Sequence, residues 1–218
     1  MTEAEWLAGT EPEKMLAFIR VIRAKASERK LRLFACACCR RIWRLLSDDR
    51  SRKAVKTAER FADGLATRQQ LRAARAYAAD ADAFAQGGPY YAPAAHAACA
   101  HAAAARASEE VCEAARCAAT HPATGNTEKT AQAALLRDLF DNPFRHIAIN
   151  STWLTWNGRT VLQLAQAMYD ERAFDRLLIL ADALEKAGCD NTDVLAHCRS
   201  GGEHVRGCWV VDLLLGKA

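Results

Sequence analysis

Cys189, Cys198, His204 and Cys208 stand at a C-x8-C-x5-H-x3-C spacing. Zinc asks for four soft or borderline donors converging tetrahedrally, and three thiolates with one imidazole are a common structural set. The spacing is that of Cys3His zinc fingers with the last two ligand types exchanged. Gly201 and Gly202 supply a flexible turn between the second and third ligands. Packing is the competing reading: free cysteine is among the most buried residue types, and the Trp209–Leu215 run reads as ordinary core helix. Metal content separates the two.

Cys36-Ala37-Cys38-Cys39 is a second thiol cluster and contains a literal C-x-x-C. No strand precedes it, so the thioredoxin context is missing. At about 100° per residue, Cys38 falls with Leu31, Phe34, Ile42 and Leu45 at the centre of an apolar face. Cys39 lies at its margin. Cys36 lies further round, toward Trp43 and a basic side made by Arg29, Arg40 and Arg44. Cys36 and Cys39 could therefore bind a metal jointly or react, because nearby guanidinium groups favour thiolate; three packed thiols are the alternative. His96, Cys99 and His101 sit among alanines and read as exposed histidines on a small-residue helix. Cys112 and Cys117 read as packing.

Charge is uneven. The chain carries a formal +4, yet residues 20–60 hold fourteen Lys/Arg against four Asp/Glu, leaving the remainder acidic. Arg29, Arg40, Arg41, Arg44, Arg52 and Lys53 could track phosphates, which predicts salt-sensitive, sequence-tolerant nucleic-acid binding. The alternative is pairing within the fold and solvated helix faces. No recognition helix or stacking platform accompanies the charge. Nucleotide-binding glycine motifs, G-x-S-x-G and H-E-x-x-H are all missing, so the reading leans away from an enzyme.

Positioning these residues falls to helices. Thr2 with Glu5 and Thr10 with Glu13 are capping-box spacings, and Pro12 sits in a first turn. Ser27 opens a helix from Glu28 to about Leu46, Ser47 or Asp48 the next, which stops at Gly64, and Thr67 another. Residues 72–119 are dominated by alanine, the best helix former and the smallest side chain, which predicts a helical hairpin turning near residues 86–93. A loop at 120–126 precedes a helix over 127–140, ended by Asn142-Pro143. An irregular stretch carries Trp153 and Trp156. Helices follow over 160–172, 175–187, about 192–198 and about 206–215.

Two blocks carry a resemblance. One is Trp6-Leu7-Ala8 with the run from Lys25 through Cys36-Ala-Cys-Cys-Arg-Arg-Ile-Trp43 to Phe61-Ala-Asp-Gly-Leu65. The other is Asn142-Pro-Phe-Arg145, then Tyr169-Asp-Glu-Arg-Ala-Phe-Asp-Arg176, the run 180–198 and His204-Val-Arg-Gly-Cys-Trp-Val-Val-Asp212. Over a little more than half the chain this resembles a large paralogous family of planctomycete proteins. Many relatives carry Cys where this chain has Gly9. The resemblance implies no catalytic activity.

The expectation is an all-α protein: an irregular multi-helix bundle with a protruding alanine-rich hairpin. Residues 1–66 form a basic helical block, 67–125 the hairpin or arm, and 126–218 a C-terminal block packing with 1–66. The N-terminus lacks a signal-peptide pattern and no stretch reads as a membrane span. That points to a cytoplasmic protein whose nine cysteines are thiols or metal ligands rather than disulfides. The leading function is a non-catalytic protein-interaction or regulatory module with zinc as its cofactor. The rivals are a redox sensor or enzyme using Cys36 and Cys39, and nucleic-acid binding through residues 20–60.

Overall fold

A computed structural model describes residues 1–22, 27–46, 48–84, 101–104, 107–119 and 127–217; of 81–84, 108–109, 111–112 and 119 it describes the backbone alone. Among the described residues there are eleven α-helices and no strand. In chain order they are α1 (Glu3–Ala8), α2 (Pro12–Ile22), α3 (Glu28–Arg41), α4 (Asp49–Ala62), α5 (Arg68–Phe84), α6 (Ala107–Ala119), α7 (Thr127–Phe140), α8 (Ser151–Glu171), α9 (Leu177–Lys186), α10 (Thr192–Arg199) and α11 (Trp209–Leu215). Their contacts divide them into two compact units, Met1–Leu136 and Arg137–Ala218. The division falls inside α7, past the block boundary that the sequence suggests at residue 126.

Local chemistry places the helix starts. Thr2 and Glu5 close a capping box on α1, Thr2 N donating to Glu5 Oε2 (2.7 Å) and Glu5 N to Thr2 Oγ1 (3.2 Å). Thr67 and Gln70 do the same ahead of α5. Ser27 caps α3 and Asp48 caps α4. Each cap satisfies amide groups that have no partner inside the helix. Pro12 is the first residue of α2, where its missing N–H costs nothing, so Thr10 stands outside that cap. The helix from Glu28 ends at Arg41 rather than near Leu46: the chain tightens into a 3-10 turn at Trp43–Leu45.

In the first unit α3 is the axis. It packs against α4 on one side and α6 on another, while α4 packs against α5 and α2 against α6. Every residue from Lys30 to Cys39 is buried, Arg32 included. Arg32 reaches that position because its guanidinium donates to the carbonyls of Ala102 (3.3 Å) and Ala104 (2.5 Å) and lies 5.0 Å over the Phe61 ring. Over residues 102–118 the alanine-rich segment is built in, with Ala102, Ala103, Ala104, Ala107, Ala114, Ala115 and Ala118 all buried, whereas Ala73, Ala76 and Ala79 on α5 are exposed. Small side chains let α6 come close to α3, and that closeness excludes water from α3's remaining face. The expected hairpin tip near 86–93 lies outside the described residues, as do His96, Cys99, Ser47 and the 120–126 loop.

In the second unit α8 packs against α11 and α9, and α10 against α9 and α11. Val161, Ala165, Met168, Leu177, Leu180, Leu184, Val194, Val210 and Val211 are among its core. The α8 helix is interrupted where the sequence looks irregular. Trp156 leaves helical geometry, and Asn157, Gly158 and Arg159 take φ of 44°, 65° and 68° in succession. Only glycine occupies that left-handed region freely. Trp153 lies before the break, inside the helix and buried.

Candidate metal centre

The second unit brings four potential metal ligands together: Asp138, His197, His204 and Cys208, with their donor atoms all within 4.8 Å of one another. They come from three pieces of chain. Asp138 lies on the last turns of α7, His197 on α10, His204 in the loop after α10, and Cys208 is the residue before α11. The α10 start is set by Asn191, whose side chain accepts from Val194 N at 3.0 Å.

Asp138 is the hub. Its Oδ1 lies 2.6 Å from His204 Nδ1 and 3.2 Å from His197 Nε2, while Oδ2 accepts from Val205 N at 2.9 Å. The same His197 Nε2 lies 3.2 Å from Cys208 Sγ. One ring nitrogen carries at most one hydrogen, so Nε2 has a single proton to offer the carboxylate and the sulfur between them. The two imidazoles meet edge to face at 4.8 Å, and His197 leans on Trp209 at 5.1 Å. His204 Nε2 lies 3.1 Å from Ser200 Oγ.

Cys208 is fully buried and Asp138 is 4% exposed, while His197 and His204 are half-buried. Burial alone would push the Asp138 carboxyl up, but the hydrogen bonds from His197 and His204 outweigh it and hold the group below its ordinary value. Burial opposes charge on His204 as well, and the bond to Asp138 overcomes it, raising that histidine. Burial drives the Cys208 thiol well up, reinforced by the Asp138 charge and opposed by the Val210 and Val211 amides. Without a cation, sulfur here stays protonated. With one, the donor set of a carboxylate, a thiolate and two neutral imidazoles cancels a divalent charge, which is what burial of an ion demands. Nitrogen, sulfur and carboxylate oxygen at about 2.0–2.3 Å in a tetrahedron stand roughly 3.2–3.7 Å apart. His197 already meets that spacing; His204 Nδ1 and Asp138 Oδ1 would open by less than 1 Å.

Of the four residues singled out by spacing, His204 and Cys208 converge. Cys189 and Cys198 are buried thiols outside the converging set. Burial, with Cys189 next to it, pushes Cys198 up to about 12, and burial raises Cys189 too. His197 and Asp138 take their places. The readable signal was H-x6-H-x3-C over 197–208; nothing in the sequence tied residue 138 to it.

The other candidates lie in the first unit. Cys36 and Cys39 are buried, which corrects the view of Cys36 on an open basic side. Burial, aided by Glu59 and Cys39, drives the Cys36 thiol well above its ordinary value despite Arg32 and Arg40. Its Sγ–H faces the Val55 carbonyl at 3.9 Å. Desolvation outweighs the guanidinium charges. His101, Glu113 and Cys117 form a second possible ligand group, but Glu113 already pairs with Arg116, and His101 lies 2.5 Å from Glu110 rather than standing free. Nothing is described of the Cys112 side chain.

The six basic residues are largely committed within the fold. Arg29 pairs with Asp63 (3.2 Å), Arg40 with Glu59 through two bonds (3.0 and 2.7 Å), Arg41 with Glu128 (3.0 Å) and Arg52 with Asp49 (3.7 Å). Arg40 also lies 4.3 Å over the Trp43 ring. Arg44 and Lys53 are exposed. Much of the basic excess of residues 20–60 thus meets carboxylates from α4, α7 and the turn after α4. Among the described residues no helix is long and apolar enough to cross a membrane. No known protein family, curated protein or solved structure matches this chain.

Proposed function

We propose that this chain is a non-catalytic helical interaction module whose C-terminal unit is stapled by one zinc ion on Asp138, His197, His204 and Cys208. The observation that carries the reading is the convergence of four donors, from α7, from α10 and from the loop between α10 and α11, within 4.8 Å of one another. A closed set of four protein ligands is the mark of a structural site, whereas catalytic zinc keeps an open position. Thiolate and imidazole favour zinc over magnesium or calcium. None of the seven described cysteines is in a disulfide, in keeping with a reducing, cytoplasmic setting.

The Cys208–His197 distance of 3.2 Å would also suit a nucleophilic dyad. A nucleophile needs substrate access and thiolate character, and complete burial with a raised thiol argues against both. A protein partner is favoured by exposed apolar side chains, Leu7, Val21 and Ile22 on α1 and α2 and Leu178 and Ile179 on α9.

Elemental analysis of untagged protein purified under reducing conditions tests the staple. The expected result is one zinc per chain, lost in Cys208→Ala and His197→Ala and retained in Cys189→Ala. Zinc retained in Cys208→Ala, or none in the wild type even after reconstitution, would end the proposal.

A further inference from the structure

The α4–α5 hairpin carries an open groove of about 500 Å³ that the metal centre does not use. On α4 it is lined by Arg50, Lys53, Thr57 and Arg60, spaced three, four and three residues apart, so that all four share one helical stripe. On α5 it is lined by Gln70, Ala73, Ala74 and Tyr77, again one stripe. The two alanines lack the bulk to fill the space, and that is why a groove exists. Asp48 ties down Arg50 through contacts of 2.7–3.1 Å, and Asp80 also lies near enough to act on it. Arg60 donates to the Leu65 carbonyl at 3.0 Å, which orients it without neutralising it. Lys53 is exposed. Tyr77 is 60% exposed and lines the groove.

We infer that this groove binds a short stretch of single-stranded nucleic acid, phosphates along Lys53 and Arg60 and one base on the Tyr77 ring. A cationic track beside an aromatic platform is how strands are held without sequence preference. Arg50 to Arg60 spans about 15 Å of helix, room for a few nucleotides. Thr57 and Gln70 offer hydroxyl and amide donors between the charges. The site differs from the six basic residues picked out by sequence: of those it keeps Lys53 alone, and it adds Arg50, Arg60 and the aromatic ring.

Fluorescence anisotropy of a labelled oligo-dT strand at low salt tests this with the full chain. Binding should weaken with added salt at a log–log slope of about −1.4, near −0.7 for each of the two phosphates. In Lys53→Gln/Arg60→Gln the slope should fall toward zero. Tyr77→Ala should weaken binding about tenfold or more, with Tyr77→Phe restoring it. Lys56→Gln is the control, because this lysine does not line the groove and lies over the Trp43 ring. No binding at low salt overturns the inference. So does an equal loss in the Lys56 variant, which would mean diffuse charge, or a mononucleotide binding as tightly as the strand, which would mean a small phosphate ligand. Circular dichroism on each variant separates these outcomes from misfolding.

Discussion

Asp138→Asn is the sharpest perturbation of the metal centre, since it changes one oxygen for an amide group and nothing in volume. Asp138 accepts from two imidazoles and from the Val205 amide while 4% exposed. Losing charge from a buried, hydrogen-bonded carboxylate costs about 2–4 kcal/mol without metal. Its larger effect is on linkage. A cation that binds only the folded state at a hundred times its Kd adds about 2.7 kcal/mol. In a unit of this size, Arg137–Ala218, 1 kcal/mol shifts Tm by about 4–8 °C, so wild-type protein should gain about 10–20 °C from saturating zinc. Structural zinc sites are worth about 10–16 kcal/mol in all, and one ligand of four accounts for roughly a hundredfold in Kd. At the same zinc concentration the variant should therefore gain only about 0.4 kcal/mol, or 2–3 °C. The assay is thermal unfolding followed by circular dichroism, with and without zinc under reducing conditions. An equal rise in both proteins would refute the assignment of Asp138 as a ligand, and no rise in the wild type would refute the site.

Cys36 should resist thiol reagents at pH 8 in the native state and react at once in urea; its thiol titrates well above the ordinary value, so reactivity should climb only as pH rises past 9. A native burst at pH 8 from a protein retaining only this cysteine would contradict its burial. Arg32→Ala should cost unit 1 about 3 kcal/mol in urea unfolding, because two buried carbonyls lose their donor and the Phe61 ring its cation; a change below 1 kcal/mol would count against that role. Gly158→Ala should destabilise by about 1 kcal/mol through its φ of 65° alone, since no atom lies within 4 Å of an added Cβ. Arg159→Gly, at the next left-handed position, should change stability in the opposite direction; a loss on that substitution would show that the Arg159 side chain matters more than its backbone.

Much of the helical order was legible because capping is local. Ser27, Asp48 and Thr67 mark helix starts in the sequence as they do in the fold, and the Thr127–Phe140 helix ends ahead of Asn142-Pro143. The metal centre was half legible. His204 and Cys208 belong to one short loop, so spacing found them. On α10 the choice between His197 and Cys198 is a rotation of about 100°, and spacing favoured the better-known ligand type while the fold turned the imidazole inward. Asp138 lies 66 positions from His204 and carries no local mark. The α3 reading failed for a related reason. A helical wheel finds one apolar face, and it cannot know that α6 will seal the others.

That sealing has a consequence for synthesis. The α3 helix ends at Arg41, and α6, which covers it, begins only at Ala107. At about 5–20 residues per second, the ribosome needs several seconds to supply the cover. During that interval Cys39 and the rest of the face that α6 covers lie open on the nascent chain. This is when a folding helper has something apolar to hold and an oxidant has a thiol to reach. Once α6 docks, both opportunities close. The vulnerable form of this protein is therefore the one still being made.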